Sequence, residues 1–223
     1  CRPGFGQHRS IEKVRKILIR SSANYRKECW AVKCDIRKFF DHIDQNILFN
    51  LLCCEVYEPR IRALLRCIID SFHSSSPAVG IPIGNLTSQI FANVYLHELD
   101  LFAKHNLKIR HYFRYADDFV FLTETRNDAE CLVDKFRIFL TKNLKLTIHP
   151  NKIIIRRAGA GIDWLGKILL PGYILLRPAT KWRMMARIKK RVETCFEVNN
   201  LKAIVGSYNG LLYGTARKKI DEQ

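Results

Sequence analysis

The run Ile109-Arg110-His111-Tyr112-Phe113-Arg114-Tyr115-Ala116-Asp117-Asp118-Phe119-Val120-Phe121-Leu122 decides the fold. Both flanks of Tyr115-Ala116-Asp117-Asp118 are β-branched or aromatic, so residues 109–114 and 119–122 read as the two strands of a hairpin. The turn between them carries adjacent carboxylates, which repel one another when ionised. A bound dication removes that repulsion and makes the pair a candidate metal-binding edge. Asp is also common in turns, so an ordinary Asp-Asp turn is the plain alternative for this segment taken alone.

A second segment supplies a partner. Trp30-Ala31-Val32-Lys33-Cys34-Asp35-Ile36 reads as an apolar strand ending in an isolated Asp, followed by Arg37-Lys38-Phe39-Phe40-Asp41-His42-Ile43. A carboxylate at a strand end, with a carboxylate pair on a separate hairpin, is the donor set that two-metal phosphoryl transfer requires. One ion activates an attacking 3′-hydroxyl and the other steadies the leaving pyrophosphate. Oxygen donors suit Mg²⁺, with Mn²⁺ as a substitute. Asp35 and Asp117 are the expected ligands and Asp118 supports them.

With a third segment, Gly80-Ile81-Pro82-Ile83-Gly84-Asn85-Leu86-Thr87-Ser88-Gln89, these runs resemble reverse transcriptase motifs A, B and C in order and spacing. The resemblance spans residues 4 to about 180. It implies an α+β fold, the right-hand polymerase: a palm whose antiparallel sheet packs on helices, partial fingers, and the start of a helical thumb. The implied divisions are 1–29 for the partial fingers, 30–176 for the palm with interleaved fingers helices, and 177–223 for the thumb. The implied activity is RNA-directed DNA synthesis from deoxynucleoside triphosphates, on an RNA template with a primer strand.

The resemblance also assigns residues. Asp35, Asp117 and Asp118 match the catalytic carboxylates, and the Ile36 carbonyl an additional metal ligand. Phe40 matches the aromatic beneath the incoming sugar, where shape excludes a 2′-hydroxyl; Phe39 reads as core. Lys152 matches the motif D lysine that protonates departing pyrophosphate, although an exposed Lys after Pro150-Asn151 is ordinarily just solvated. Trp164-Leu165-Gly166 resembles the core of the primer-grip hairpin. Arg2 and Arg9 are candidates for triphosphate contacts, against a solvated loop.

Motif B departs from the common pattern. Most reverse transcriptases have Gln where Ile83 stands, and Ser-Pro where Ser88-Gln89 stands. The form with Ile83, Gly84 and Gln89 is similar to enzymes of diversity-generating retroelements, which copy a template RNA unfaithfully at adenines. An amide at position 83 hydrogen-bonds near a nascent base pair, whereas Ile83 only packs; losing that check weakens discrimination by about 1 kcal/mol or more. Such enzymes work with a small basic accessory protein. Another bacterial retroelement or antiviral polymerase, or a non-catalytic palm used as a nucleic-acid-binding or RNA-maturation module, are the alternatives. Clustered carboxylates facing a polyanion argue against a pure binder.

Composition agrees. Hydrophobic residues make up 48% of the 223 residues, which excludes a disordered chain. The net charge of +17 calls for a polyanionic partner, nucleic acid first. Lys181, Arg183, Arg187, Lys189, Lys190 and Arg191 crowd one segment, and Lys181, Arg183, Arg187 and Lys190 are expected along a nucleic-acid backbone. No stretch is long and apolar enough to span a bilayer, so a membrane is not an expected partner. Eight cysteines show no Cys-x-x-Cys pairing, and read as free thiols in a reducing, cytoplasmic setting. A chain beginning at Cys1 without Met, with almost none of the N-terminal fingers of the family it resembles, is expected to be either a fragment or a minimal variant.

Apolar periodicity predicts helices at 10–23, 45–54, 59–72, 85–104 and 127–143. Strands are expected at 152–156, 163–170 and 173–176. Thr180 is the expected N-cap of a basic helix ending near 197, with a second helix over 201–213. Residues 74–77 break the pattern.

Overall fold

The strand that ends in Asp35 lies at the centre of the fold. In the computed structural model, which describes residues 6–72, 77–194 and 215, β1 (Trp30–Asp35) lies between β3 (Asp118–Thr123) and β4 (Ile154–Arg157). With β2 (Tyr112–Tyr115) at the edge, the order is β2-β3-β1-β4, antiparallel throughout. Both faces of the central strands are covered, which is why they read as continuous apolar runs. Val32, Cys34, Phe119 and Phe121 enter one core, while Ala31, Val120 and Leu122 enter a second.

The first core is shared with helices. Leu48 of α3 (Gln45–Glu55), Phe91, Tyr95 and Leu99 of α5 (Leu86–Leu101), and Phe136 and Leu140 of α6 (Arg126–Leu144) fill it. The short α2 (Phe39–His42) and α4 (Pro59–Asp70) complete that side. The second core holds Ile11, Val14 and Leu18 of α1 (Gln7–Ser21) against Trp164 and Leu169. These last belong to a separate antiparallel sheet of β5 (Ile162–Trp164), β6 (Lys167–Leu169) and β7 (Ile174–Leu176), after which α7 (Pro178–Thr194) begins.

The α+β expectation holds, and four boundaries shift for local reasons. The strand expected over 109–114 starts at Tyr112, because the Ile109 and Arg110 carbonyls each accept from Lys104 Nζ at 3.2 Å. The helix expected to reach 104 loosens into a π turn at Phe102–Asn106, where the Leu107 amide donates back to Phe102. The strand expected over 163–170 is two strands around Leu165-Gly166, whose φ values are +50° and +80°. Thr180 is not the cap of α7: the helix starts at Pro178, and the Thr180 and Lys181 amides both donate to the Arg177 carbonyl. The breaker at 74–76, the end of the basic helix near 197 and the helix over 201–213 lie outside the described residues.

Of the described cysteines, Cys29 and Cys34 are buried and pack as small hydrophobes, whereas Cys54, Cys67 and Cys131 are exposed. Cys29, Cys34, Cys53, Cys54, Cys67 and Cys131 are free thiols, and burial pushes the Cys34 thiol up to about 12. Among the described residues no helix is long and apolar enough to cross a membrane.

Candidate active site

Backbone register brings the carboxylates together. Asp35, the last residue of β1, stands directly opposite Asp118, the first of β3. Tyr115 pairs with Asp118 on the other side, leaving Ala116 and Asp117 as a two-residue turn with Ala116 at φ +52°. The Ile36 amide donates to the Asp117 carbonyl at 3.3 Å, tying the end of β1 to that turn. The Arg37 amide donates to Thr147 (2.9 Å) and the His149 amide to the Asp35 carbonyl (2.8 Å), which fastens the same end to the loop before β4. Opposed residues project from one face, so Asp35, Asp118 and Tyr115 share a side of the sheet. Lys33, two residues before Asp35, shares it too.

The cluster is short of positive charge. Burial, and after it the charges of Asp35 and Asp117, hold the Asp118 carboxyl above the usual carboxylate range against the pull of Lys33. Burial and Asp35 raise Asp117 likewise, against its own backbone amide, Lys152 and Lys33. Lys33 Nζ lies 3.4 Å from Asp118 Oδ1 as an ion pair, and that buried oxygen accepts no hydrogen bond. Lys152 Nζ donates to both oxygens of Asp35, at 2.9 and 3.0 Å.

A buried carboxylate oxygen held only by an ion pair at 3.4 Å, beside carboxyls raised chiefly by burial and then by each other's charge, fits a hard dication. Asp35, Asp117 and Asp118 are the residues with the donor chemistry to hold it. Among the described residues, however, no group of three His, Cys, Asp or Glu side chains is drawn together tightly enough to hold an ion. Lys152 and Lys33 instead occupy the carboxylates.

The other expected site residues fall into three groups. Phe40 and the stretch before Ile83 are tied by the backbone, the Phe40 carbonyl accepting from the Ile81 amide (2.9 Å), and the half-buried Phe40 ring meets the buried Phe39 edge-on at 5.3 Å. Ile83 is 76% exposed, Gly84 turns the chain at φ +103°, and Gln89 lies on the exposed side of the first turns of α5. Trp164 is fully buried, and its indole donates to Ser10 Oγ at 3.1 Å, so it anchors the hairpin on α1. Leu165 and Gly166 form the turn above it, with Gln7 donating to the Leu165 carbonyl. Lys181, Arg183, Arg187 and Lys190 all lie exposed on α7. Arg2 lies outside the described residues, and Arg9 is exposed on α1.

Two features escaped the sequence reading. Lys33 is one, and its signal was a lysine at even spacing from Asp35 inside an apolar strand. Trp182 is the other, an aromatic 73% exposed amid the cations of α7.

The profile of the reverse transcriptase (RNA-dependent DNA polymerase) family matches residues 2–169. The chain belongs to the reverse transcriptase family. Among curated relatives, the group II intron-encoded protein LtrA of Lactococcus lactis subsp. cremoris is 21% identical over 230 residues, covering 73% of this chain and 38% of that protein. A putative COX1/OXI3 intron 2 protein of Saccharomyces cerevisiae is 22% identical over 207 residues, covering 64% of this chain and 24% of that protein. This reverse transcriptase chain therefore spans well under half the length of either relative. The apo telomerase of Candida tropicalis, truncated from its C-terminal domain, shares the fold with a TM-score of 0.59 at 13% identity, over 77% of this chain and 39% of that one.

Proposed function

We propose that this reverse transcriptase chain is an RNA-directed DNA polymerase working by two-metal nucleotidyl transfer, with Asp35, Asp117 and Asp118 as its catalytic carboxylates. The observation that carries the proposal is that Asp35, from a distant part of the chain, stands opposite Asp118 beside Asp117 at one sheet end, where burial and their mutual charge raise the hairpin carboxyls. Bound Mg²⁺, or Mn²⁺ in its place, supplies activation of the primer 3′-hydroxyl and neutralises charge on the leaving pyrophosphate. The chain's own residues do the rest by positioning. Asp35 and Asp117 hold the metals with the Ile36 carbonyl, and Asp118 supports them. Phe40 bounds the sugar pocket, and Lys152 Nζ gives its proton to pyrophosphate after leaving Asp35. The exposed cations of α7 follow the template–primer backbone, whose A-form shape is the recognition element. The setting is the reducing cytoplasm.

The finer reading is the error-prone enzyme of a diversity-generating retroelement, acting with a small basic accessory protein. Ile83 supports it, presenting an apolar and exposed side chain at the start of motif B where an amide would check the base pair. An intron-derived enzyme is the reading that the names of the relatives favour.

Primer extension on an RNA template with Mg²⁺, beside Asp117→Ala/Asp118→Ala, tests both levels. Extension that the double variant loses supports the polymerase, and errors concentrated opposite adenines support the retroelement enzyme. Accurate products leave the polymerase and sink the subtype. No extension, even with an accessory protein supplied, favours the binding module.

A further inference from the structure

The hairpin that carries Asp117 is gripped from behind. Arg114 of β2 pairs with Phe119, one of the residues of the helix-side core, so its side chain leaves the sheet on the face opposite Asp35 and Asp118. There its guanidinium forks onto Asp100 of α5, Nε to Oδ1 at 2.8 Å and Nη2 to Oδ2 at 2.7 Å. Its remaining arm, Nη1, donates to the Ala116 carbonyl at 3.1 Å. Tyr112 Oη donates to Asp100 Oδ1 at 2.9 Å, so three side chains and one backbone oxygen form a closed network. The Arg114 side chain is only 11% exposed.

Ala116 is the residue that needs holding. Its φ of +52° places a residue with a Cβ in left-handed backbone, a conformation maintained only where the surroundings impose it. Its peptide leads directly into Asp117. A bond to the Ala116 carbonyl therefore sets the plane of the peptide from which Asp117 projects.

We infer that Arg114 is a positioning residue for the catalytic turn, anchored by Asp100 and acting through the Ala116 carbonyl on the placement of Asp117. The inference rests on the polymerase reading for its effect on rate, though not for its effect on the turn. Arg114 has no contact to offer substrate from the helix side, so its loss slows the chemical step without weakening nucleotide binding. Lysine is no replacement, because one ammonium cannot span both Asp100 oxygens and the carbonyl in a fixed plane.

The test compares wild type, Arg114→Gln, Arg114→Lys and Asp100→Asn with Arg126→Gln, a surface control on α6. Single-nucleotide extension and amide hydrogen exchange are both measured. Misplacement of a catalytic group by about 1 Å costs on the order of 10²-fold in rate. The expected result is a kcat lowered by about that factor in Arg114→Gln and Arg114→Lys, with KM for the nucleotide within about twofold of wild type. Asp100→Asn shows the same pattern more weakly, and the control is unchanged. Exchange over residues 112–119 accelerates in the Arg114 variants while α6 keeps its protection. If Arg114→Gln unfolds, Arg114→Lys and Asp100→Asn carry the comparison. Unchanged kcat in the Arg114 variants with an active wild type, or a rise in KM equal to the fall in kcat, overturns the positioning role. An inactive wild type sinks the polymerase reading, and hydrogen exchange then decides alone: unaltered exchange at 112–119 overturns the clamp, and accelerated exchange upholds it.

Discussion

At Asp117, function and stability pull in opposite directions. Burial and the Asp35 charge raise its carboxyl pKa, so the folded chain binds that proton more tightly than the unfolded chain does. The contribution to stability is full below the unfolded value, near the ordinary 3.8, and is lost as pH rises through the raised folded value. Asp117→Asn removes the ionisation penalty at neutral pH. Its melting temperature at pH 7.5 is expected to exceed that of wild type by about 1–3 °C, with the gain vanishing below about pH 4, while extension activity is lost. Calorimetry across that range checks it, and a gain that grows as pH falls would contradict the assignment. At this scale the sequence was a partial guide. The three carboxylates stood out because acidic residues at strand ends and turns are chemically conspicuous. Their counter-charges did not: Lys33 sits among apolar neighbours, and Arg114 reads as an ordinary strand residue until the fold places Asp100 behind it.

The hairpin formed by β5 and β6 shows what separates an element's existence from its use. Trp164-Leu165-Gly166 was legible as a distinct feature, yet one strand was expected where a turn divides two. The clue was Gly166, since both turn residues have positive φ and the apolar letters around them hide the break. Trp164 marks the hairpin in the sequence, but what it packs on does not show in its letter: it is fully buried against α1. A Cβ added at Gly166 would meet Thr180 Oγ1 at 3.8 Å, which is ordinary contact, so any cost of Gly166→Ala comes from the backbone at φ +80° and not from crowding. That cost is about 1 kcal/mol, a drop of roughly 2–4 °C in melting temperature. Because Gln7 and Ser10 of α1 bond this hairpin, hydrogen exchange in α1 should accelerate with it. A Gly166→Ala protein as stable as wild type would mean that the turn relaxes to negative φ. Helices were the most legible elements, since α3 to α6 each bury a face at helical spacing, whereas starts such as that of α7 depend on which carbonyl takes the first amides.

Across the whole molecule, the charge of +17 calls for a polyanion, and α7 carries one exposed run of it. Arg183, Arg187 and Lys190 recur at i, i+4 and i+7 and so share one side of α7, while Met184 is buried. Trp182 and Met185 add exposed apolar surface beside them. The acidic cluster stands at the end of the four-stranded sheet, so binding and chemistry are separable by substitution. Each phosphate neutralised contributes about −0.7 to −0.9 to the slope of log affinity against log salt. Arg183→Glu/Arg187→Glu is expected to lower template–primer affinity by at least about tenfold near 0.1 M salt, and to flatten the slope by roughly 2. Its single-turnover rate at saturating duplex should stay near that of wild type. Asp117→Ala is expected to give the reverse pattern, with affinity kept and extension lost. Fluorescence anisotropy across a salt series, paired with quenched-flow extension, distinguishes the two. If reversing both arginines leaves affinity and slope unchanged, α7 does not follow the duplex, and the cationic surplus serves another surface.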